Sequence, residues 1–396
     1  MKIITARLDL SVSQDFKSNM ILKKGIEYVV SDDFPAKAER EMGPGCVEVR
    51  DYVPDNFYKG EDLDGKSLFC FRTGGIGDLL FITTALRQLK KRFASAQLAL
   101  GCNYIFSTIL DSKGDGFEQV YMPLEKQMMD RYDYILFFQG IIEGNPEAEK
   151  KNAYDLLKDA FCLEKLEDPL PRVYVEEEAR TRARDFVMRT EGRRRYKIGV
   201  QVSPSLPVRA VPPQLFVDFV TCLSDDFMVF FVGGEAQWHE IDLIIKHLSQ
   251  QKQQQAVNAS RHLPTLAEAA ALIGEMDLVI GPDSSMLHVA AAHRKPLIGL
   301  YGPFHSDLRM KYYKNAIGLD SMTLCEFGRG QYSSCFEHGE GECPLARKTG
   351  QFYSPCMMFF LPKHIYQAMH RLGFPVPVEG SGENLVKSTP VSQHGC

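Results

Sequence analysis

The chain has 396 residues, of which 44% are hydrophobic and 24% are charged, and its formal net charge is −5 at pH 7. This length allows two or three domains with a sizeable buried core, and the interspersed charges give no electrostatic case for binding nucleic acid. No apolar run approaches the roughly 20 residues of a membrane span, and residues 1–10 lack the apolar core of a signal peptide, so we expect a cytoplasmic location.

The first 65 residues differ in pattern from the rest of the chain. Short extended pieces are separated by polar turns that contain Gly and Pro, which predicts a small β-rich module over residues 1–65. An apolar strand is then predicted at residues 67–72, and it opens a Rossmann-like domain that we place at residues 66–190, including a charged linker helix.

A glycine-rich turn follows this predicted strand. The run Thr-Gly-Gly-Ile-Gly-Asp at residues 73–78 precedes apolar positions with the spacing of an amphipathic helix. Glycines at a strand-to-helix turn let the backbone approach a ligand closely, so Gly75 and Gly77 are candidate binding positions.

A second Rossmann-like domain is predicted over residues 191–377. Its first strand starts near residue 197 and leads to a turn that contains Ser203, Ser205 and Arg209. A later strand at residues 228–232 is followed by a Gly-Gly-Glu turn that ends at Glu235.

The segment at residues 277–303 has the pattern strand, turn, helix, strand. Asp283 or Ser284 is well placed as the N-cap of a helix over residues 285–293. The unpaired amides of that helix would point out of the carboxyl end of a parallel sheet, where the helix dipole favours an anion such as a diphosphate. An ordinary α/β crossover with a capped helix is the alternative.

Two of these segments together resemble the heptosyltransferases of glycosyltransferase family 9. The first is Arg-x-Gly-Gly-Ile-Gly-Asp-x-Leu-x-x-Thr-x-x-Leu-Arg-x-Leu-Lys at residues 72–90, and the second is Gly-x-Asp-Ser-x-x-x-His-x-Ala-Ala-Ala from residue 281, followed by Lys-Pro and a strand ending in Gly-Pro. The resemblance extends over roughly residues 67–375. It implies an α/β fold of the GT-B type, with two Rossmann-like domains facing across a cleft, the acceptor on the first and the nucleotide on the second.

The resemblance also implies roles for individual residues. Asp78 would be the general base that takes the proton of the acceptor hydroxyl, with a helix N-cap as the alternative. Arg209 would neutralise the departing diphosphate and Glu235 would bind the ribose, whereas a solvated arginine and a surface glutamate are the alternatives. The remaining nucleotide-sugar contacts would come from Gly75, Gly77, Ser203, Ser205, Asp283, Ser284, Ser285, Met286 and His288.

Two of these positions carry an alternative. Ser285 stands where the family often has Gly, which leaves less room for a phosphate. His288 could equally be a packed structural histidine.

The implied reaction is an inverting, metal-independent transfer of a heptose from ADP-heptose. The acceptor would be lipopolysaccharide, another glycan or a protein hydroxyl. Rival interpretations are a glycosyltransferase that uses another nucleotide sugar, and a catalytically inactive nucleotide-binding or assembly protein of the same fold. Peripheral membrane association and a homo-oligomer are compatible with the sequence.

Four cysteines lie in a predicted insertion at residues 320–360: Cys325, Cys335, Cys343 and Cys356. Four thiolates in so short a stretch could hold a tetrahedral metal, although no pair has Cys-x-x-Cys spacing. Heptosyltransferases that modify bacterial autotransporter proteins carry a cysteine-ligated iron in a comparable insertion, so the resemblance implies a structural iron or zinc. Reduced, independent thiols are the alternative. Residues 378–396 have the composition of a disordered tail.

Overall fold

The structure is a computed structural model, and it describes residues 1–13, 19–138, 141–142, 145–202, 204, 206–321, 335 and 342–376. The chain forms two compact units. The first comprises Met1–Asn145 and Ala153–Tyr174, and the second comprises Pro146–Asn152 and Val175–Cys396.

The first unit combines a parallel sheet with an antiparallel one. Its strands are β1 (Lys2–Ala6), β2 (Leu10–Ser13), β3 (Asn19–Leu22), β4 (Glu27–Val30), β5 (Val47–Asp51), β6 (Ser67–Phe71), β7 (Gln97–Cys102), β8 (Glu118–Tyr121), β9 (Leu124–Glu125) and β10 (Tyr134–Phe137). Its helices are α1 (Phe34–Met42), α2 (Ile76–Arg92), α3 (Tyr104–Ser107), α4 (Ser112–Asp115), α5 (Lys126–Met129) and α6 (Ala153–Ala160).

Two sheets of the first unit share a core. The parallel sheet has the order β10-β6-β7-β8, and the antiparallel sheet has the order β5-β1-β4-β9, while β2 and β3 form a separate hairpin. Ile3 and Val29 of the antiparallel sheet pack in one cluster with Phe69 and Phe71 of β6. Because strand β6 is buried almost throughout, its sequence is a continuous apolar run rather than an alternating one. The antiparallel sheet therefore covers a face of the parallel sheet.

The second unit contains one parallel sheet with helices. Its strands are β11 (Tyr196–Gln201), β12 (Phe227–Val232), β13 (Ala256–Asn258), β14 (Leu278–Pro282), β15 (Leu297–Tyr301) and β16 (Ala316–Asp320). Its helices are α7 (Glu177–Thr190), α8 (Pro213–Cys222), α9 (Trp238–His247), α10 (Gln250–Gln253), α11 (Leu266–Glu275), α12 (Ser285–Ala292), α13 (Asp307–Met310), α14 (Pro344–Thr349), α15 (Pro355–Met358) and α16 (Pro362–Arg371).

The strand order in this sheet is β13-β12-β11-β14-β15-β16, which is the doubly wound Rossmann order. The order reverses between β11 and β14, so the carboxyl ends of these two strands open a crevice. Ligands of such sheets bind at this point. All described residues of strands β12, β14 and β15 are buried, as expected for central strands covered on both faces.

No helix in the described part of the chain could span a membrane. None of the helices there combines the length and the apolar character that crossing a bilayer requires.

Candidate functional site

The turn between β6 and α2 holds the first group of predicted site residues. Gly75 occupies the N-cap position of α2 with φ 79°, in the left-handed region that favours glycine. A Cβ on Gly75 would lie 2.2 Å from Oδ2 of Asp78, so this position needs glycine for space as well as for conformation. Gly77 and Asp78 follow in the first turn of the helix, where the helix dipole favours a carboxylate. The N-cap is thus Gly75 and not Asp78.

Arg72 holds the carboxylate of Asp78 in place. Its buried guanidinium donates from Nη2 to Oδ2 of Asp78 at 2.5 Å, from Nε to the carbonyl of Gly74 at 2.9 Å, and from Nη1 to the carbonyl of Phe138 at 2.7 Å. Because Phe138 follows β10, this arginine connects the ends of two neighbouring strands to Asp78. The side chain of Asp78 stays 20% exposed and can be reached by a substrate.

The sequence patterns predicted no role in the site for Arg72. The available signal was an ionisable residue directly after a buried apolar strand and before a glycine-rich turn.

The second group of predicted residues lies where β14 passes into α12. Ser284 is the N-cap residue of α12, but its side chain makes no capping hydrogen bond to the helix. Its hydroxyl donates instead to Oε1 of Gln201, at the end of β11. This bond links the two strands at which the strand order reverses, and it leaves the first amides of α12 to a ligand or to solvent.

Asp283 and Arg209 form a buried ion pair beside this helix end. Nη1 of Arg209 lies 2.5 Å from Oδ2 of Asp283. Burial disfavours the charged carboxylate, but the guanidiniums of Arg209 and Arg309 outweigh burial and hold the pKa of Asp283 below its ordinary value. Asp283 is therefore ionised at neutral pH.

His288 lies in the interior of the same region. Its Nδ1 is 2.7 Å from the hydroxyl of Tyr313, and burial, together with the nearby arginine charges, lowers the pKa of His288 to about 4. The imidazole is therefore neutral at pH 7, and its Nδ1 can accept a hydrogen bond from the hydroxyl of Tyr313. No local pattern in the sequence indicates that Tyr313 contacts His288, which lies 25 positions away.

The remaining predicted contacts are more scattered. Ser285 is half-buried and Met286 is buried, both in the first turn of α12. Glu235 is exposed and directly follows the Gly-Gly turn after β12. Strand β11 separates β12 from β14 in the sheet, so Glu235 follows a strand that is not adjacent to β14. Ser203 and Ser205 lie outside the described residues, as does the predicted tail at residues 378–396.

The predicted metal ligands are only partly visible. Cys356 is buried in α15, where its Sγ would lie 2.8 Å from a Cβ on Gly302, and the amide of Cys335 donates to the carbonyl of Pro303. Both cysteines thus adjoin the turn after β15. Cys343 caps α14, and its Sγ accepts from the amide of Ala346 at 3.5 Å. Cys325 lies outside the described residues, and within those residues no group of three or more His, Cys, Asp or Glu is placed to hold a metal.

A known protein family matches the part of the chain that holds the second group of site residues, whereas the turn at Gly75 lies outside the match. The family whose model matches is glycosyltransferase family 9 (heptosyltransferase), over residues 165–329. The matched stretch is less than half of the chain.

A short stretch of the chain is similar to the lipopolysaccharide core heptosyltransferase OpsX of Haemophilus influenzae. The two sequences are 44% identical over 50 residues, a stretch that spans 13% of this chain and 14% of the length of OpsX.

Solved structures extend the likeness over most of the chain. A family 9 glycosyl transferase from Veillonella parvula is 15% identical, with a TM-score of 0.59, over 79% of this chain and 98% of its own. The iron-containing dodecameric glycosyltransferase TibC of enterotoxigenic E. coli is 14% identical, with a TM-score of 0.55, over 94% of this chain and 91% of its own. At such identities the likeness concerns the fold, and the predicted α/β fold of the GT-B type is confirmed.

Proposed function

We propose that this protein is an inverting glycosyltransferase that transfers a heptose from ADP-heptose to an acceptor hydroxyl. The observation that carries the proposal is the carboxylate of Asp78, which Arg72 holds over the Gly75 turn while a fifth of its side chain stays exposed. The choice of donor is supported by TibC, which was solved in complex with ADP-D-beta-D-heptose. The acceptor class, whether lipopolysaccharide core, another glycan or a protein, stays part of the proposal.

In the proposed reaction Asp78 acts on the acceptor. The Asp78 carboxylate takes the proton of the acceptor hydroxyl while the acceptor oxygen attacks the anomeric carbon from the face opposite the diphosphate. A bond forms between the acceptor oxygen and the anomeric carbon, and the bond from that carbon to the diphosphate oxygen breaks. The products are the glycosylated acceptor, with inverted configuration, and ADP.

The leaving ADP gains negative charge at the diphosphate as this bond breaks. The first amides of α12 and the guanidinium of Arg209 would stabilise that charge. Because fixed positive groups are already present, we propose that the transfer needs no metal ion.

A binding screen of the purified protein tests the donor site. We expect ADP to bind in isothermal titration calorimetry without added magnesium, and more tightly than UDP, GDP or CDP. Tighter binding of another nucleoside diphosphate would replace ADP-heptose by a different nucleotide sugar. Equal, negligible heats for all four would contradict the donor site itself.

We further propose that Cys325, Cys335, Cys343 and Cys356 hold a structural iron or zinc. Four thiolates are a suitable ligand set for either ion, and two of these residues, Cys335 and Cys356, adjoin the same turn. A closed thiolate shell leaves no position open for a substrate, so its function would be to stabilise the segment around it. TibC, which shares the fold, contains iron.

Elemental analysis tests the metal proposal. We expect about one iron or zinc per chain in the purified protein. Cys343→Ser should release the ion and make residues 320–360 sensitive to protease, because the metal and the segment are coupled. Cys102→Ser, which alters a buried cysteine in β7 of the other unit, is the matched control and should change neither property. Metal-free protein with a protease-resistant segment would exclude the site.

A further inference from the structure

Arg309 is a buried arginine close to the group formed by Asp283 and Arg209. It lies in α13, shortly after β15, and β15 is the direct neighbour of β14. The residue is only 9% exposed. Its Cζ lies 4.6 Å from the ring centroid of Phe304, and Nη1 donates to the carbonyl of Leu308 at 3.1 Å. The ring and the carbonyl thus hold the guanidinium plane.

The guanidinium of Arg309 has few partners for a buried charge. In the part of the chain that the structure describes, it forms no ion pair, and the bond to Leu308 is its one hydrogen bond. Arg209, by comparison, pairs directly with Asp283. None of its nitrogens is both fully buried and without a partner, so the remaining N–H groups reach the surface and can donate to an anion or to water.

A second unsatisfied group lies nearby. The hydroxyl of Tyr301, at the end of β15, is buried without a hydrogen-bond partner among the described residues. Arg309 acts electrostatically on Tyr301, Asp283 and His288, so its charge lies within reach of all three. Both side chains also contact the ring of Phe304, with the Arg309 Cζ 4.6 Å and the Tyr301 ring 5.7 Å from its centroid, so their donors lie in one region after β15.

Arg309 adds a positive charge to the group formed by Arg209, Asp283 and His288. Arg209 and Asp283 cancel each other, and His288 is neutral at pH 7. Arg309 therefore gives these four side chains a net charge of plus one; Asp320, whose charge also acts on Tyr301, lies outside this count and accepts from the amide and the hydroxyl of Ser306. Without it, only the weak partial charge at the start of α12 would attract an anion.

We propose that Arg309 binds the diphosphate of the donor, as a second cationic contact beside Arg209. The planar guanidinium, held by Phe304, would donate in a bidentate manner to phosphate oxygens. This inference rests on the proposed function, because it assumes a nucleoside diphosphate at the start of α12. Arg309 lies outside the two sequence motifs, at residues 72–90 and from residue 281 to residue 303, on which the resemblance rests.

The test compares ADP with adenosine, which lacks the phosphates. We expect Arg309→Gln to raise the Kd for ADP, measured by calorimetry, by about ten- to a hundredfold, because a charged hydrogen bond is lost. The Kd for adenosine should stay unchanged. Arg309→Lys keeps the positive charge but not the planar guanidinium with its paired donors, so it should reduce ADP affinity less than Arg309→Gln does. If Arg309→Gln does not fold, Arg309→Lys still decides, since an unchanged ADP affinity there would overturn the bidentate contact.

Arg195→Gln is the matched control. Arg195 also stacks on an aromatic ring, with its Cζ 5.2 Å from the Tyr196 centroid, but it precedes β11 at the amino end of the strand. Its replacement should not change ADP affinity. Unchanged ADP binding in Arg309→Gln, or equal losses for ADP and adenosine, would overturn the inference while the donor site stands. A wild-type protein that binds no ADP would overturn both.

Discussion

Replacing Asp78 with Asn is expected to lower the turnover number with ADP-heptose by roughly 10²–10⁴-fold while ADP affinity changes by no more than a few-fold. The amide keeps the shape of the side chain, and its oxygen can still accept from Nη2 of Arg72. What it loses is the capacity to take a proton. Initial rates with ADP-heptose and an acceptor, together with calorimetry of ADP, measure the two effects separately.

The control for this substitution lies at the opposite end of β6. Asp133 accepts hydrogen bonds from the backbone amide and the hydroxyl of Ser67, where β6 begins. Asp133→Asn should therefore leave turnover unchanged. If Asp78→Asn also retained the wild-type rate, Asp78 would serve only to order the start of α2, and the base would have to be sought elsewhere.

Replacing Asp283 with Asn is expected to lower the free energy of unfolding of the second unit by about 3–5 kcal/mol at pH 7. The substitution removes the buried carboxylate that pairs with Arg209 and that also acts on the charge of Arg309. Urea denaturation followed by fluorescence measures the change. Asp51→Asn, which removes an exposed partner of Lys2, should cost little, since surface ion pairs contribute little.

The contribution of Asp283 also predicts a pH dependence. Its pKa is lowered in the folded protein relative to the ordinary value of 3.8. A carboxylate with a lowered folded-state pKa stabilises fully above its ordinary pKa and loses this effect as the pH falls through the folded-state value. The difference in stability between wild type and Asp283→Asn should therefore be largest near neutral pH and shrink on acidification below about 4. A difference that grows as the pH falls would contradict the ionised pair.

Local patterns in the sequence were sufficient for the elements that carry the site. The predicted strand at 67–72 and the helix after it are β6 and α2, because an apolar run, glycines and amphipathic spacing are properties of neighbouring residues. The predicted helix at 285–293 is α12, which ends at Ala292. Gly75 was selected for close approach, and its φ of 79° and its contact with Asp78 explain why it must be glycine.

Contacts between distant residues could be decided only by the tertiary structure. Arg72 meets the carbonyl of Phe138 because β6 and β10 are neighbours in the sheet. Arg209 meets Asp283, 74 positions away, and no local period encodes that pairing. Strand order depends on how whole apolar faces pack together, which a window of a few residues does not contain.

The surroundings of Arg309 likewise depend on the tertiary structure and not on local sequence. In the sequence it is one arginine among many, in a short stretch between two strands. Burial against Phe304 and proximity to Asp283 arise only when β15 lies beside β14. The sequence by itself determined the strands and the glycine turns of the site, since those depend on adjacent residues. The folded chain decided which charges are paired and which remain available to a ligand, because desolvation and Coulomb attraction depend on distances in space.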